Sequence, residues 1–526
     1  MTSNRTRGKE VRVAQRIPRV ANGKLHVTES SALLVGLALV DFVAHMLVSG
    51  NYGYFRDELY YIEAGRHLAF GYVDFPPLIA LVAKFLGVLA GDALWAIHIG
   101  PALATALIVL LTGLMARELG GGRFAQALAA VASLVAVTFL ATGSLFSMDA
   151  LDELWWVLAS YVLILILKRN DARLWPLFGL IAGVGLTTKV TILFFGVAVV
   201  VGLLFTPARR HFRAKWIWLG SAISFAFLLP YLLWNMAYGW PTLEFFGNYE
   251  GSGGPLEFLL GQIPGMNPLT LPLSFAGLIF YLRIQGGKPY RALGWTFVVL
   301  LFVLALLGAK PYFLAPAYPM LFAGGAVLVE HLGGRARGLI KAVYVVLLLV
   351  SGLLLAPLAM PILPPATFSA TYGFLSGTGN AAAGQDAQGI FPQPLGDRFG
   401  WENMARTVAD TYDGLPTEER ARTCIFTSNY GEASALNFLG GRYRLPPAIS
   451  GHNSYYLWGP GSCTGEVIVT VGIPRGKIQQ VYAGIERAAT ITCRYCVPEE
   501  NDVPVYVATK PIVSIQKLWP QTKHYE

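Results

Sequence analysis

Long apolar segments alternate with short polar connections over most of the chain. A membrane-spanning helix needs roughly 20 consecutive apolar residues, and fewer where it ends in a protein cavity. This pattern predicts about eleven spans. They are 31–50, 93–116, 124–147, 152–167, 174–188, 190–206, 216–236, 269–283, 292–309, 313–330 and 341–362. The pair 174–188 and 190–206 can also form one long or re-entrant element.

The composition agrees with this pattern. Hydrophobic residues make up 54% of the chain and charged residues only 13%, whereas soluble domains contain about 25% charged residues. These values exclude an ordinary soluble enzyme and indicate a polytopic membrane protein. Residues 1–30 are polar and basic and lack the apolar core of a signal peptide, so we expect a cytoplasmic tail. Beside a membrane, such a tail favours contact with anionic lipid over nucleic acid.

Lys and Arg are distributed unevenly between the two sets of connections. The predicted inner connections hold Arg117, Arg123, Lys168, Arg169, Arg173, Arg209, Arg210, Arg213, Lys215, Arg283, Lys288, Arg291, Arg335, Arg337 and Lys341. The predicted outer connections hold Arg56, Arg66, Lys84, Lys189 and Lys310. The positive-inside rule therefore places the N-terminus in the cytoplasm and, for an odd number of spans, the C-terminal region outside it.

The first outer connection, residues 51–92, is unusually rich in ionisable and aromatic residues and begins NYGYFRDELYYIEAGRHLAFGYVDFPPL. Ionisable groups beside a membrane are costly unless they are solvated or paired, so their density indicates a functional site. The pattern from Asp57 to Leu68 fits a short amphipathic helix. Gly71 is expected to stop this helix, and Pro76 with Pro77 to fix an extended segment.

The segment DELYYIEAGRHLAFGYVDFPPL resembles the first extracytoplasmic loop of the GT-C glycosyltransferases that use polyprenyl-phosphate sugars. The resemblance is strongest to bacterial members of glycosyltransferase family 39, which are related to protein O-mannosyltransferases and the lipid A aminoarabinose transferase. An Asp-Glu pair just after the first span marks that family. The resemblance implies that Asp57 is the catalytic base and adds Glu58 to the catalytic group. The alternative for Asp57 is a helix N-cap.

A second acidic cluster, SMDALDEL, lies at the predicted outer end of the third span. The resemblance implies a further acidic catalytic position here, and spacing does not decide between Asp149 and Asp152. An acidic helix N-terminus is the alternative for each of them.

Four residues are candidates for binding the phosphate of the donor. The resemblance implies this role for Lys189, which lies within a long apolar region, and for Lys310 and Tyr312 at an outer boundary. Arg66 is included because outer cations break the charge bias and because Arg binds phosphate well. For the outer cations, salt bridges to Asp57, Glu58 or Asp74 are the alternative. For Lys310 and Tyr312, an interfacial location is the alternative.

Tyr61, His67 and Asp74 are candidates for sugar or acceptor binding. Glu63, His67 and Asp74 also offer ligands that suit a divalent metal, but no spacing requires one, and hydrogen bonding is the simpler interpretation. No cofactor is certain, a divalent metal is possible, and no nucleotide is expected.

From Pro364 the composition changes to Gly, Ala, Gln, Asn and Pro, which predicts a linker over 364–400. Residues 401–526 then alternate between helical and strand patterns, as in a small α/β domain. The predicted helices are Trp401–Tyr412, Gly431–Leu439 and Lys477–Ala488, and the predicted strands are Thr423–Thr427, Val467–Gly472 and Val505–Thr509. The stretches NYGEASALNFLGG and ISGHNSYYLWGP resemble the same bacterial branch, although they imply no catalytic role.

All four cysteines lie in this predicted domain: Cys424, Cys463, Cys493 and Cys496. The spacing of Cys493 and Cys496 suits zinc or redox chemistry, but a second close pair is missing. In an oxidising compartment these residues can form disulfides, for which four cysteines allow three connectivities. We expect at least one bridge, and a single bridge with two unpaired buried thiols is the simplest alternative.

Taken together, the sequence predicts an α-helical polytopic membrane protein of the GT-C type. A transmembrane domain over 31–363 precedes the linker and a small extracytoplasmic α/β domain, and the location is a bacterial plasma membrane. We expect inverting transfer of a mannose-like or other hexose or pentose from a polyprenyl-phosphate donor to an extracytoplasmic glycan, lipid or protein. The alternatives are a transporter or flippase of a lipid-linked sugar and a non-catalytic assembly factor. The transporter is disfavoured because most acids cluster at one face and no repeat is visible.

The charge asymmetry predicts the orientation of the protein in the membrane. A reporter that is active only outside the cytoplasm should work when it is fused after Glu526, and a cytoplasmic reporter should work at Arg213. The reverse result would contradict the shared outer face of the acidic clusters.

Overall fold

A computed structural model describes residues 24–248, 251, 253–332, 335–375 and 389–526. Residues 1–23 of the predicted tail and 376–388 of the predicted linker lie outside the described residues. The described chain forms a helical bundle followed by a small domain with one mixed sheet.

The helical bundle is built from helices of very different length. Its α-helices are α1 Lys24–Val48, α2 Arg56–Arg66, α3 Leu78–Ala90, α4 Leu94–Ile97, α5 Ile99–Glu118, α6 Arg123–Leu134, α7 Val137–Thr142, α8 Met148–Arg169, α9 Trp175–Thr188, α10 Ile192–Leu204, α11 Lys215–Ala237, α12 Pro241–Asn248, α13 Pro255–Gly265, α14 Leu271–Arg283, α15 Arg291–Leu306, α16 Tyr318–Glu330, α17 Arg335–Ala359 and α18 Pro365–Tyr372. Short 3₁₀ turns connect several of them.

Several of these helices can cross a membrane. Within the described residues, seven segments are long and apolar enough: Ser31–Val48, Leu94–Glu118, Met148–Arg169, Lys215–Ala237, Gln285–Leu306, Pro311–Glu330 and Gly338–Ala359. Two bent pairs, α10 with the following 3₁₀ turn and α13 with α14, raise the number to nine if each pair is one span. The protein is therefore a multi-pass membrane protein.

The structure has fewer long spans than the apolar pattern predicted. The predicted span 124–147 is interrupted between α6 and α7. The predicted span 174–188 corresponds to α9, which is shorter than a full membrane span. Apolar runs of this kind do not need the full membrane thickness where their ends are buried in protein.

Glycine allows some of the helices to pack very closely. A Cβ atom on Gly179 of α9 would collide with the carbonyl oxygen of Gly220 in α11, and one on Gly277 of α14 would collide with the carbonyl oxygen of Leu321 in α16. Small residues at such crossings let two backbones approach, which is a common way to associate helices in a membrane.

The C-terminal domain contains helices on a five-stranded sheet. Its elements are α19 Gln393–Gly396, α20 Trp401–Asp413, α21 Thr417–Arg420, β1 Thr423–Thr427, α22 Tyr430–Leu439, β2 Ala448–Ser450, α23 Ser454–Trp458, β3 Val467–Val471, α24 Arg475–Ile478, β4 Tyr482–Ile491, β5 Val503–Pro511 and α25 Ile515–Thr522. The strand order is β2-β1-β3-β5-β4. Strand β1 is parallel to β2 and β3, whereas β5 is antiparallel to β3 and β4. The predicted α/β class is confirmed.

One predicted element of this domain was wrong. The segment Lys477–Ala488 was expected to be a helix. Instead α24 ends at Ile478, and β4 pairs along β5 as the edge strand of the sheet. Strand preference depends strongly on tertiary pairing, which overrides the local pattern here.

The C-terminal domain and the bundle share one hydrophobic core. Helices α2 and α3 pack with α20 and α22 in a single buried cluster that includes Leu59, Ile79, Met404 and Leu436. We call the side of the bundle that carries this domain the domain face. Because the cluster is continuous, α2 is held by the bundle on one side and by the C-terminal domain on the other.

The end of the predicted linker 364–400 also belongs to the packed structure. Asp397 and Arg398 are almost fully buried, and Nη2 of Arg398 donates to the carbonyl oxygen of Ser144 in the bundle at 2.6 Å. The composition of this segment resembles that of a linker, but Asp397 and Arg398 pack the C-terminal domain against the bundle.

The cysteines have two different states. Cys424 at the start of β1 and Cys463 form a disulfide with a Cα–Cα distance of 5.6 Å. Cys493 and Cys496, in the connection between β4 and β5, are free thiols.

Candidate active site

Glu58 fixes helix α2 to the bundle from a fully buried position. Its Oε2 accepts the backbone N–H of Phe55 at 2.9 Å and so caps the first turn of α2. Its Oε1 accepts from Nε2 of His98 at 2.7 Å and from the backbone N–H of Phe146 at 2.8 Å. Burial alone would raise the pKa of Glu58, but His98, Arg398 and the backbone donor lower it below its ordinary value. Glu58 is thus an anionic anchor whose two oxygens are both engaged by protein donors.

Asp57 precedes Glu58 and contacts the C-terminal domain instead. Its Oδ1 accepts the hydroxyl of Tyr430 at 2.8 Å and lies 3.8 Å from Nε of Arg56. The side chain retains 29% of its exposure. Enclosure by the protein raises the pKa of Asp57 above its ordinary value, although Arg56 and Tyr430 oppose this rise. A raised pKa and partial access make Asp57 a candidate general base.

Lys189 lies at a break between two apolar helices. Helix α9 ends at Thr188, Lys189 has extended backbone angles, and α10 begins at Ile192. The ammonium group forms an ion pair with Asp149 at the start of α8. The rings of Tyr312 and Phe313 lie 5.2 and 4.5 Å from the Lys189 nitrogen. The helix break therefore presents a cation within the apolar part of the bundle.

A small cavity surrounds this ion pair. It is lined by Asp149, Asp152, Glu153, Lys189, Thr191, Tyr312, Phe313 and Pro316. Asp152 accepts the Thr191 hydroxyl at 2.7 Å and the indole N–H of Trp156 at 3.1 Å. Asp149 is thus the acid that holds Lys189, whereas Asp152 is engaged by neutral donors.

Lys310 connects this cavity with Asp57. It lies close enough to Lys189, Asp57 and Asp149 to interact electrostatically with each of them, and also with Arg56. Charged side chains from four separate segments of the chain therefore meet in one region on the domain face.

Arg66 and His67 lie at a different place, against the C-terminal domain. Arg66 donates to Glu63 at 2.9 Å and lies 3.9 Å from Asp92. The ring of His67 stacks on Trp458 with centroids 4.4 Å apart. Neither residue lines the Lys189 cavity, so the structure does not bring Arg66 together with the other predicted phosphate ligands.

Tyr61 and Asp74, the other two predicted sugar contacts, are enclosed by protein. Tyr61 is 3% exposed, and its ring packs edge-on against Phe75 at 5.0 Å. Asp74 accepts the hydroxyl of Tyr60 at 3.1 Å, and burial raises the pKa of Asp74 to about 7. In this arrangement, Tyr61 is part of the core, and Asp74 is a half-buried acid with a raised pKa.

The C-terminal domain supplies several contacts to this region. Tyr430, the first residue of α22, stacks on Tyr60 with centroids 4.5 Å apart. Nδ2 of Asn453 donates to Asp74 at 3.4 Å, and the backbone N–H of Ser454 donates to the Tyr60 hydroxyl at 3.1 Å. The domain therefore forms one wall of the region around Asp57 and Asp74.

Part of the chain is similar in sequence to known proteins. The family model described as dolichyl-phosphate-mannose-protein mannosyltransferase matches residues 74–234. A curated relative, the lipid A galacturonosyltransferase RgtD of Rhizobium johnstonii, is 25% identical over 250 residues, which cover 43% of this chain and 52% of the relative. The chain thus spans about half the length of that relative.

Solved structures match a much larger part of the chain. ArnT from Cupriavidus metallidurans matches in its apo state with a TM-score of 0.58 and in its undecaprenyl phosphate complex with 0.59. Both matches are 16% identical and cover 91% of this chain and 98% of the ArnT chain. At this level of identity, the match shows that the chain shares the fold of ArnT.

The C-terminal domain supplies candidate site residues whose partners the sequence did not reveal. Tyr430 is 373 positions from Asp57 in the chain. The stretches around Tyr430 and Asn453 were recognisable as polar and aromatic, but no local pattern indicates which acid they contact. Only the packing of the C-terminal domain on α2 brings them together.

One group of potential metal ligands exists within the described residues: His452, His524 and Glu526, whose ligand atoms lie within 4.8 Å of one another. Nδ1 of His452 accepts the backbone N–H of Tyr430 at 3.4 Å, so its Nε2 carries the proton and faces the carbonyl oxygen of Glu526 at 3.3 Å. Both nitrogens of His524 face carbonyl oxygens. A metal at this group would therefore displace hydrogen bonds that the two histidines already make. Glu63, His67 and Asp74 form no such group among the described residues.

The anchoring role of Glu58 predicts the effect of its removal. Glu58→Gln places an amide N–H₂ opposite backbone or imidazole donors, and each buried donor left without an acceptor costs about 1–3 kcal/mol. Thermal unfolding of the purified protein in detergent should show a clear loss of stability.

Glu257→Gln is the matched control, because Glu257 caps α13 in the same way but at an exposed site, where its Oε2 accepts the N–H of Gly254 at 3.1 Å. Equal losses for both variants would contradict the special role of Glu58.

Proposed function

We propose that this protein transfers a sugar from a polyprenyl monophosphate to the hydroxyl group of an acceptor, at the extracytoplasmic face of a bacterial plasma membrane. The observation that carries the proposal is the convergence of Asp57, Asp149, Lys189 and Lys310 from four segments on the domain face. This region offers a base for a hydroxyl and cations for a phosphate. The proposal assigns the domain face to the extracytoplasmic side.

The acceptor side of the reaction is assigned to Asp57. The acceptor hydroxyl takes the position of the Tyr430 hydroxyl, which already donates a hydrogen bond to Oδ1 of Asp57. Asp57 accepts the proton while the acceptor oxygen attacks the anomeric carbon, so the configuration at that carbon inverts. Glu58 does not touch the reactants but fixes the first turn of α2 and thereby the position of Asp57.

The donor side is assigned to the Lys189 cavity. The phosphate replaces Asp149 as the partner of Lys189, and Lys310 and Tyr312 are the further ligands. Preorganised cations stabilise the negative charge that grows on the leaving phosphate, which is often a large contribution to catalysis. ArnT, which shares this fold, has been crystallised with undecaprenyl phosphate, and this supports a donor of that lipid class.

The acceptor is a glycan, a lipid or a protein that carries a hydroxyl group. The name of the curated relative, a lipid A galacturonosyltransferase, supports a lipid acceptor and leaves open the identity of the transferred sugar. The C-terminal domain contributes Tyr, His and Asn side chains to the region around Asp57 and Asp74. They suit a sugar-bearing molecule, because aromatic faces and amides commonly contact sugars.

Loss of the base should abolish turnover without loss of the fold. Asp57→Asn retains the size and much of the hydrogen bonding of the side chain, and turnover should fall roughly 10²–10⁴-fold, as is usual for a general base. The assay measures release of polyprenyl phosphate by the purified protein supplied with lipid-linked sugars extracted from its native membrane.

Asp92→Asn is the matched control on the same connection, since Asp92 makes only a long ion pair with Arg66 at 3.9 Å among its charged contacts in the described structure.

Lys189→Ala should instead weaken donor binding by about 1.5–3 kcal/mol. Near wild-type turnover of a well-folded Asp57→Asn protein would remove Asp57 from the mechanism.

The hydrogen bond from Tyr430 should affect the pH dependence of the reaction. This bond favours the ionised form of Asp57, so Tyr430→Phe should raise the pKa of Asp57 further. The base is lost as the pH falls through this pKa, and the acid limb of the pH profile of kcat/KM should therefore move to higher pH in the variant.

Tyr54→Phe provides the control for this experiment. Tyr54 also packs against the C-terminal domain, with its ring 4.9 Å from Phe438, but its hydroxyl donates to the backbone oxygen of Asp92 at 2.9 Å. The acid limb should stay in place in this variant. If the acid limb of the pH profile is unchanged in Tyr430→Phe, Tyr430 only packs against its neighbours and does not affect the pKa of Asp57.

A further inference from the structure

Cys493 and Cys496 form a compact pair of thiols in the connection between β4 and β5. The backbone N–H of Cys496 donates to Sγ of Cys493 at 3.2 Å. Sγ of Cys496 contacts the carbonyl oxygens of Cys493 at 3.3 Å and of Glu500 at 3.4 Å. The short loop therefore holds both sulfur atoms on the same side, while the other two cysteines are already joined to each other.

The two thiols differ in access and in acidity. Cys493 is partly exposed, whereas Cys496 is 7% exposed. The hydrogen bond from the side chain of Cys496, assisted by backbone donors, lowers the pKa of Cys493 to about 7, and the same contact raises the pKa of Cys496. An accessible sulfur that accepts hydrogen bonds beside a buried second thiol is the arrangement of a reactive cysteine pair.

The surroundings of Cys493 add to this asymmetry. Its sulfur lies against Gly400, where a Cβ atom would stand 3.2 Å from Sγ. Gly400 directly precedes α20, and the N-terminus of a helix favours a nearby thiolate. A larger residue at position 400 would crowd the sulfur, so the site is open at this point because of glycine.

We propose that Cys493 and Cys496 are a thiol–disulfide exchange site whose partner is an external disulfide, either of low molecular weight or on a thiol oxidoreductase. The Cys493 thiolate attacks one sulfur of that disulfide, and a mixed disulfide forms as one external thiolate leaves. Cys496 then loses its proton and attacks Sγ of Cys493, which releases the second external thiol. In sum, two protein thiols are oxidised to one disulfide, and one external disulfide is reduced to two thiols.

The pair is connected to the C-terminal wall of the active site through Glu500. The carbonyl oxygen of Glu500 contacts Cys496, and its Oε1 accepts from Nδ2 of Asn429 at 3.2 Å. Asn429 caps α22, since its Oδ1 accepts the N–H of Glu432 at 2.9 Å, and Tyr430 begins that helix. Closing the disulfide removes the Cys496 thiol from Glu500, so the oxidation state is transmitted to the first turn of α22.

The exchange is measured on the purified full-length protein without any sugar substrate. The protein is equilibrated in mixtures of reduced and oxidised glutathione, quenched with acid, alkylated and digested for mass spectrometry. We expect Cys493 and Cys496 to lose their alkylation together as the mixture becomes oxidising and to regain it on reduction. The Cys424–Cys463 bridge, whose cysteines are each 8% exposed, should stay closed in the folded protein.

Two variants separate the roles of the thiols. Cys496→Ser should accumulate a stable glutathione adduct on Cys493, because no second thiol resolves it, whereas Cys493→Ser should acquire little adduct on the buried Cys496. If Cys496→Ser does not fold, alkylation of the native wild-type protein decides the order, and Cys493 should react first. Equal or reversed reactivity would overturn the assignment.

Hydrogen exchange tests the connection to α22. Oxidation should change the protection of the backbone amides of residues 428–432, whereas those of α24, which has no contact with the thiols among the described hydrogen bonds, should not change. Unchanged protection at 428–432 would overturn the connection. Two thiols that both remain reactive in oxidised glutathione, or that retain zinc on metal analysis of the purified protein, would overturn the exchange site itself.

Discussion

The buried carboxylate of Glu58 is the constraint on which the arrangement of this protein depends. A charged group can stay inside a protein only where donors replace the water that it loses. Glu58 receives donors from its own helix, from His98 and from the loop before α8. It therefore joins three segments of the bundle at one point and fixes a helix of only 11 residues.

The adjacent residue gains its position from this constraint. Because Glu58 is turned into the bundle, Asp57 lies on another side of the same helical turn, where Tyr430 and Arg56 reach it. One acid of the pair is satisfied by the fold and the other stays partly accessible. In the Asp-Glu motif, Glu58 thus anchors the helix and Asp57 is the candidate base. The sequence alone does not distinguish these roles, because the two side chains are chemically similar.

Local patterns predicted the elements of this protein better than their contacts. The amphipathic helix after the first span, the break near Lys189 and the strand Thr423–Thr427 could be recognised from periodicity and composition. The contact between Asp57 and Tyr430 could not, because it depends on how a whole domain packs on α2. The edge strand β4 was misassigned for the same reason, since its pairing with β5 is a tertiary interaction.

The ion pair between Lys189 and Asp149 has a consequence for which anions can enter the bundle. An anion that binds Lys189 must first displace the carboxylate of Asp149. A weakly bound anion such as chloride offers too little in return for separating the pair, whereas a phosphate brings more charge and more hydrogen-bond acceptors. In the proposed donor site, the internal counterion would therefore disfavour small anions by competition rather than by size.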